Sequence, residues 1–143
     1  MDREILFRGK LLYDDDWAYG YFVKGGTRNC IVESLASYPK YDIEPHTVGQ
    51  YTGIKDINGT KIFEGDIVEI TCKFKGKVEF ENCGVVKYKD SGFIVDIFTD
   101  EEAFDFILMQ SVCNNEREDS YIVIGNIYDN SELLKGVQEN ETD

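Results

Sequence analysis

Few side chains in this sequence are of the types that carry out catalysis. The single histidine, His46, follows Pro45, and a general base needs a partner and an orienting group within hydrogen-bond reach. Carboxylates are plentiful, but the sequence has no G-x-S-x-G element and no Cys/His pattern. We therefore interpret His46 as a loop or strand-edge residue, and we expect no catalytic residues in this protein.

Metal and nucleotide sites are also poorly supported. Asp14, Asp15 and Asp16 supply oxygen ligands of the kind Ca²⁺ and Mg²⁺ prefer, but adjacent residues of an extended chain point in different directions. Asp56–Gly59 has its glycine at the fourth position, whereas a calcium-binding EF-hand loop has it at the sixth. Gly25–Gly26 lacks the lysine context of a phosphate-binding loop. The sequence predicts neither a metal nor a cofactor.

The four cysteines are too far apart for a zinc or redox motif. Cys30, Cys72, Cys83 and Cys113 are separated by 42, 11 and 30 residues, so no C-x-x-C pair exists. We interpret them as small buried apolar residues without disulfides.

An aromatic stripe is the first candidate binding surface. Trp17, Tyr19 and Tyr21 alternate in W-A-Y-G-Y, so they lie on one face of a predicted strand, with Gly20 on the other. Gly20 indicates a bulge or a close backbone approach. The stripe either packs into a core or anchors a protein interface, where aromatic residues are enriched.

Alternating lysines are the second candidate surface, for nucleic acid. Small β-barrels present such strands to nucleic-acid chains. The candidate contacts are Lys73, Lys75, Lys87 and Lys89. Lys77 continues the parity of the first two, but so do Glu79 and Glu81, and this favours a solvated face of mixed charge.

The charge of the chain is concentrated toward its end. The net charge is −13; residues 99–143 contain 12 acidic and 2 basic residues, and residues 1–98 contain 16 and 13. This balance argues against non-specific DNA binding by the whole chain, but it leaves open a local basic face in residues 1–98. The acidic last third suggests a further alternative, a DNA mimic that binds a host protein.

The remaining pattern predicts a mainly β chain with at most one or two short helices. Turn signals recur about every ten residues, which favours a barrel or a sandwich. Val68, Ile70, Cys72 and Phe74 alternate with Glu69, Thr71, Lys73 and Lys75, as in a sheet with one face in a core. Residues 99–112 fit a helix and a strand almost equally. No apolar run approaches the roughly 20 residues that span a bilayer, and the start lacks a secretory signal, so we expect a cytoplasmic protein with no membrane contact.

Several ordered motifs give the chain a family resemblance. They are Phe7–Lys10, Trp17–Gly20, Thr47–Gly53, Asp56–Gly59, Ile62–Val68 and Ile124–Tyr128. Together they resemble the YopX family of small phage and prophage proteins, from about residue 5 to residue 134. The resemblance implies antiparallel β-sheets, an SH3-like barrel in the part containing Gly65–Val68, and a phage or prophage origin. It implies no activity and no catalytic residues.

These observations combine into one prediction of organisation and role. We expect a single β domain over residues 1–135, with a β-hairpin region at 1–45, a barrel region at 46–135 and a frayed acidic tail at 136–143. His46–Ile70 should lie close to Ile124–Tyr128. The expected role is a non-catalytic phage accessory protein, a protein-interaction module that forms a homo-oligomer. The alternatives are a nucleic-acid-binding barrel and an acidic DNA mimic.

Overall fold

The computed structural model describes residues 4–26, 28–33, 40–90, 92–98, 103–109 and 116–134. Within these ranges the chain is mainly β, which confirms the predicted fold class. The strands are β1 (Phe7–Lys10), β2 (Trp17–Gly25), β3 (Arg28–Val32), β4 (Lys40–Asp42), β5 (Gly49–Lys55), β6 (Lys61–Phe63), β7 (Asp66–Phe74), β8 (Lys77–Lys89), β9 (Gly92–Phe98), β10 (Ala103–Ile107) and β11 (Arg117–Asn126). A 3-10 helix covers Pro45–Thr47, and one helical turn covers 132–134.

The strands form two antiparallel sheets, with the orders β4-β3-β2-β1-β5-β6 and β10-β9-β8-β7-β11. Among the described strands neither sheet closes into the SH3-like barrel that the resemblance implied. In the second sheet β10 and β11 are the two edges. The chain divides into two compact units, Met1–Gly53 and Ile54–Asp143, and the boundary falls within β5. No helix in the described ranges is long and apolar enough to cross a bilayer.

The first unit is built on the alternation of β2. Ala18 and Phe22 point into an apolar cluster that contains Ile31 and Ile43. A β-bridge between Leu11 and Ile43 brings the chain after β1 beside the chain after β4, so the sheet curls toward itself.

Gly20 is the close approach that its position in β2 predicted. A Cβ atom there would lie 2.3 Å from the carbonyl oxygen of Val32. A residue with a side chain could therefore stand at this position only if the backbone shifted.

The second unit has its core on one face of β7, β8 and β9. Val68 and Ile70 are fully buried, together with Val86, Val95 and Ile97. Cys72 packs against this cluster, as the alternation predicted. The β7–β8 register shifts just beyond this point, between Cys72 and Lys73. Phe74 was predicted to share the core face and is instead exposed.

The two motif-rich segments meet in the second unit, as predicted. Ile67 pairs with Gly125 and Asp66 pairs with Asn126 across β7 and β11. The N–H of Ile127 donates to the carbonyl of Gly65 at 2.9 Å. Gly65 has φ 89°, a left-handed conformation that glycine adopts without strain.

Two open points concern the end of the chain. Within the ambiguous stretch 99–112, Ala103–Ile107 form a strand, and residues 108–109 are in neither a helix nor a strand. Residues 99–102 and 110–112 lie outside the described residues, as does the predicted tail at 136–143.

Candidate functional site

The residues that could carry out catalysis lie apart or at the surface. His46 is in the 3-10 helix with its side chain 70% exposed, and its Nε2 atom is 3.7 Å from a Glu44 carboxylate oxygen. In the ranges that the structure describes, no three His, Cys, Asp or Glu side chains are grouped so that they could hold a metal ion.

The aspartates of the β1–β2 turn hold the chain locally. Asp14 accepts the N–H of Asp15 at 2.7 Å, and Asp16 accepts the N–H of Trp17 at 2.8 Å. The Asp15 carboxylate is 3.1 Å from the ammonium group of Lys10. These contacts explain the acidic run as turn chemistry, because short acidic side chains bond readily to neighbouring backbone groups.

The described cysteines are protonated thiols at neutral pH. Burial, followed by a hydrogen bond to Asp119, raises the pKa of Cys72 to about 11. Burial also raises the pKa of Cys83, with Glu69 and Glu81 nearby. A thiol is nucleophilic only as the thiolate, so these environments disfavour a reactive cysteine. Cys30 is buried as predicted, whereas Cys72 and Cys83 are only half-buried. Cys113 lies outside the described residues.

Asp56 shows what the D-x-N-G motif does. Its Oδ1 atom accepts the N–H groups of Asn58 and Thr60, each at 2.9 Å. Its Oδ2 atom accepts the N–H of Val123 at 2.9 Å, and the N–H of Ile57 donates to the carbonyl of Tyr121 at 3.0 Å. The turn therefore occupies outward-facing backbone groups on the edge of β11, which guards that edge against pairing with another strand.

The aromatic stripe lies on the face of its sheet opposite the apolar cluster. Tyr19 is 47% exposed and Tyr21 is 44% exposed, whereas Ala18, between Trp17 and Tyr19, is buried. Trp17 is half-buried, and the Arg8 guanidinium carbon lies 4.7 Å from its ring centroid. We call this surface the aromatic face: the side of β1–β4 that carries Trp17, Tyr19 and Tyr21.

Strand pairing brings basic side chains onto the aromatic face, because directly paired residues of antiparallel strands point to the same side. The pairing partners are Lys10 with Trp17, Arg8 with Tyr19, Val32 with both Tyr21 and Lys40, and Arg28 with Gly25. Asp42, paired with Cys30, is the acidic residue of these strands on that side. The charge balance of residues 1–98 is compatible with such a local basic face. Its basic members come from three strands, β1, β3 and β4, so the parity of a single strand could not reveal them.

The candidate nucleic-acid lysines do not form one surface row. The Lys87 ammonium group is 2.7 Å from Asp96, and that of Lys89 is 2.8 Å from Asp105. Lys75 was predicted to share a strand face with Lys73 and Lys77, but it lies in the β7–β8 turn, with φ 51°.

The acidic last third is also partly internal. Asp119 is buried, and its carboxylate oxygens lie about 3 Å from the guanidinium nitrogens of Arg117. This carboxylate is therefore not presented to solvent in the way a DNA mimic requires.

The fold and these surfaces define a mainly β protein of two antiparallel sheets with an exposed aromatic face. The family model described as YopX protein matches residues 10–135, and the chain belongs to the YopX family. A search of curated protein sequences finds no match. Among solved structures, the crystal structure of protein EF1440 from Enterococcus faecalis is similar, with 22% sequence identity and a TM-score of 0.45. That match covers 93% of this chain and 99% of the other.

Proposed function

We propose that this protein is a non-catalytic protein-interaction module that binds its partner through the aromatic face. The observation that carries the proposal is the exposure of Tyr19 and Tyr21 on the side of β2 that faces away from the apolar cluster. Aromatic side chains on a strand lose little conformational freedom on binding, and Tyr, Trp and Arg dominate the energetics of protein interfaces.

The setting we propose follows from the family. A YopX-family chain fits a phage or prophage accessory protein that works in the cytoplasm of a bacterial host. We further propose that the protein forms a homo-oligomer, in which the partly exposed sheets of two copies pair. Sedimentation of the purified chain at several concentrations tests this point, because a sedimentation coefficient that stays at the monomer value would contradict it.

A protein partner can be tested by retention from a bacterial lysate on the immobilised chain. We expect a protein to be retained by the natural chain and lost by the Tyr19→Ser/Tyr21→Ser variant. Tyr13→Ser is the matched control, because Tyr13 is 90% exposed but lies in the β1–β2 turn, outside the aromatic face. Equal retention by all three chains would remove the aromatic face as the binding surface.

A second candidate function is nucleic-acid binding at the tip of the β7–β8 hairpin. The tip carries Lys73, Lys75 and Lys77 beside the exposed ring of Phe74, with the Lys75 ammonium 5.6 Å from that ring. The ion pairs of Lys87 and Lys89 make those two lysines weaker candidates. Binding to DNA that is undetectable at low salt would remove this function, because phosphate-driven affinity is greatest there.

A further inference from the structure

We infer that the partner bound by the aromatic face is an acidic protein segment, in which one apolar side chain contacts the tyrosines and nearby carboxylates contact Arg28 and Lys40. This inference rests on the proposed function and names the chemistry of the partner at the same surface.

The charge on the aromatic face is opposite to that of the chain. The whole protein has a net charge of −13, yet this side of β1–β4 carries four basic residues, Arg8, Lys10, Arg28 and Lys40. The acidic residues beside them are Asp42 and the turn residue Asp15, which pairs with Lys10. A concentration of cations on one face of an acidic protein favours a partner whose contact surface is negative, because complementary potentials fix the register of an interface.

Two of the four cations are placed to meet a partner. Arg28 and Lys40 are both exposed on this side of the sheet. Arg8 is buried beside the Trp17 ring, and Lys10 lies against Asp15. Arg8 therefore supports the Trp17 ring and Lys10 is paired within its own turn, while Arg28 and Lys40 offer charge at the side of the stripe.

The spacing of these groups sets the spacing within the partner. Lys40 lies two strands from Tyr21, with Val32 on the strand between them. Two strand separations amount to roughly 10 Å, a distance that about three residues of extended chain span. We therefore expect an acidic residue about three positions from the apolar anchor of the partner.

A protein segment suits this face better than a nucleic acid does. A long polyanion meets the field of the whole acidic chain, whereas a short acidic segment meets mainly the local cations. The face also carries the exposed aliphatic side chain of Val23 beside the tyrosines, and aliphatic groups are less suited than aromatic rings to stacking with bases.

The probe is a random peptide display library, panned on the immobilised full-length chain after depletion on the Tyr19→Ser/Tyr21→Ser variant. We expect the retained peptides to have a negative net charge and a shared apolar residue about three positions from Asp or Glu. Binding of one synthesised peptide can then be followed by the fluorescence of Trp17, the single tryptophan, which lies on the aromatic face.

Charge variants test the acidic character directly. The Arg28→Gln/Lys40→Gln variant should bind the peptide roughly fivefold more weakly, as expected for the loss of two exposed ion pairs. Added salt should also lower the affinity of the natural chain for the peptide. Lys24→Gln is the matched control, because Lys24 is an exposed lysine on the opposite side of β2. It should leave the affinity unchanged.

The outcomes separate the two levels of the proposal. Retained peptides that are neutral or basic, or that bind the Arg28→Gln/Lys40→Gln variant with full affinity, overturn the acidic partner and leave the protein-interaction module standing. No enrichment beyond the depleted variant overturns both. If an oligothymidine strand quenches the fluorescence of Trp17 and no peptide does so, the partner of the aromatic face is a nucleic acid and not a protein.

Discussion

The carboxylate of Asp56 accepts the backbone N–H of Val123, 67 residues further along the chain, at 2.9 Å. The same carboxylate accepts two N–H groups of its own turn. One buried side chain thus folds the D-x-N-G turn and fixes it to the edge of β11. The D-x-N-G motif of the family resemblance is explained by these hydrogen bonds, and no catalytic role is needed to account for it.

Replacing Asp56 should therefore be costly. Asp56→Ala leaves three part-buried backbone N–H groups without their acceptor. We expect the free energy of unfolding to fall by about 3 kcal/mol, because hydrogen bonds to charged groups are strong and a donor left without its acceptor is costly. Urea denaturation measures this loss of unfolding free energy. Asp14→Ala, in an exposed turn, is the control and should change stability little. A loss for Asp56→Ala no larger than that of the control would contradict this role.

Gly20 should not tolerate a methyl group. The Cβ of Gly20→Ala would meet the Val32 carbonyl at 2.3 Å, so we expect a loss of about 2 kcal/mol from overpacking. Gly25→Ala, on the same strand, meets no atom within 4 Å and is the matched control. Thermal unfolding of the two variants compares them, and equal midpoints would show that β2 and β3 do not approach as described.

The β7–β8 turn should be improved by a residue suited to positive φ. Lys75 and Gly76 have φ 51° and 79°, and a two-residue hairpin turn with both values positive prefers Asn-Gly. Lys75→Asn should raise the free energy of unfolding by about 0.5 kcal/mol. Chemical denaturation tests this, with Lys77→Asn as the strand control. A destabilised Lys75→Asn variant would indicate that the lysine side chain itself supports the fold.

The thiol of Cys72 should make stability fall at high pH. Burial and Asp119 raise its pKa from 9.0 to about 11 in the folded chain. The folded state therefore keeps a proton that the unfolded state releases. Its contribution is complete below pH 9 and is lost as the pH rises from 9 to about 11. The Cys72→Ala variant should show a smaller decline over that window in denaturation at several pH values, and an unchanged slope would contradict the raised pKa.

How far the sequence predicts this fold depends on whether a feature lies within one strand or between strands. Alternation within β7 predicted that Val68 and Ile70 are buried, because burial on one face of a strand imposes a period of two residues. It did not predict the register shift after Cys72 or the turn at Lys75, since both depend on how β7 pairs with β8.

The candidate site shows the same division. Parity placed Trp17, Tyr19 and Tyr21 together, but it could not decide between core and surface. That choice depends on which side of β2 receives Ile31 and Ile43, residues of later segments. The basic side chains of the aromatic face became visible only through strand pairing.

The most direct test of the account is site-specific photo-crosslinking at the aromatic face in bacterial cells that express the protein. A photoreactive phenylalanine replaces Tyr21 in one chain and Tyr13 in a control chain, where the side chain is also exposed but lies in the β1–β2 turn. We predict protein adducts from position 21 that are absent from position 13. Equal adducts from both positions, or none from position 21, would contradict the claim that this face binds a protein partner.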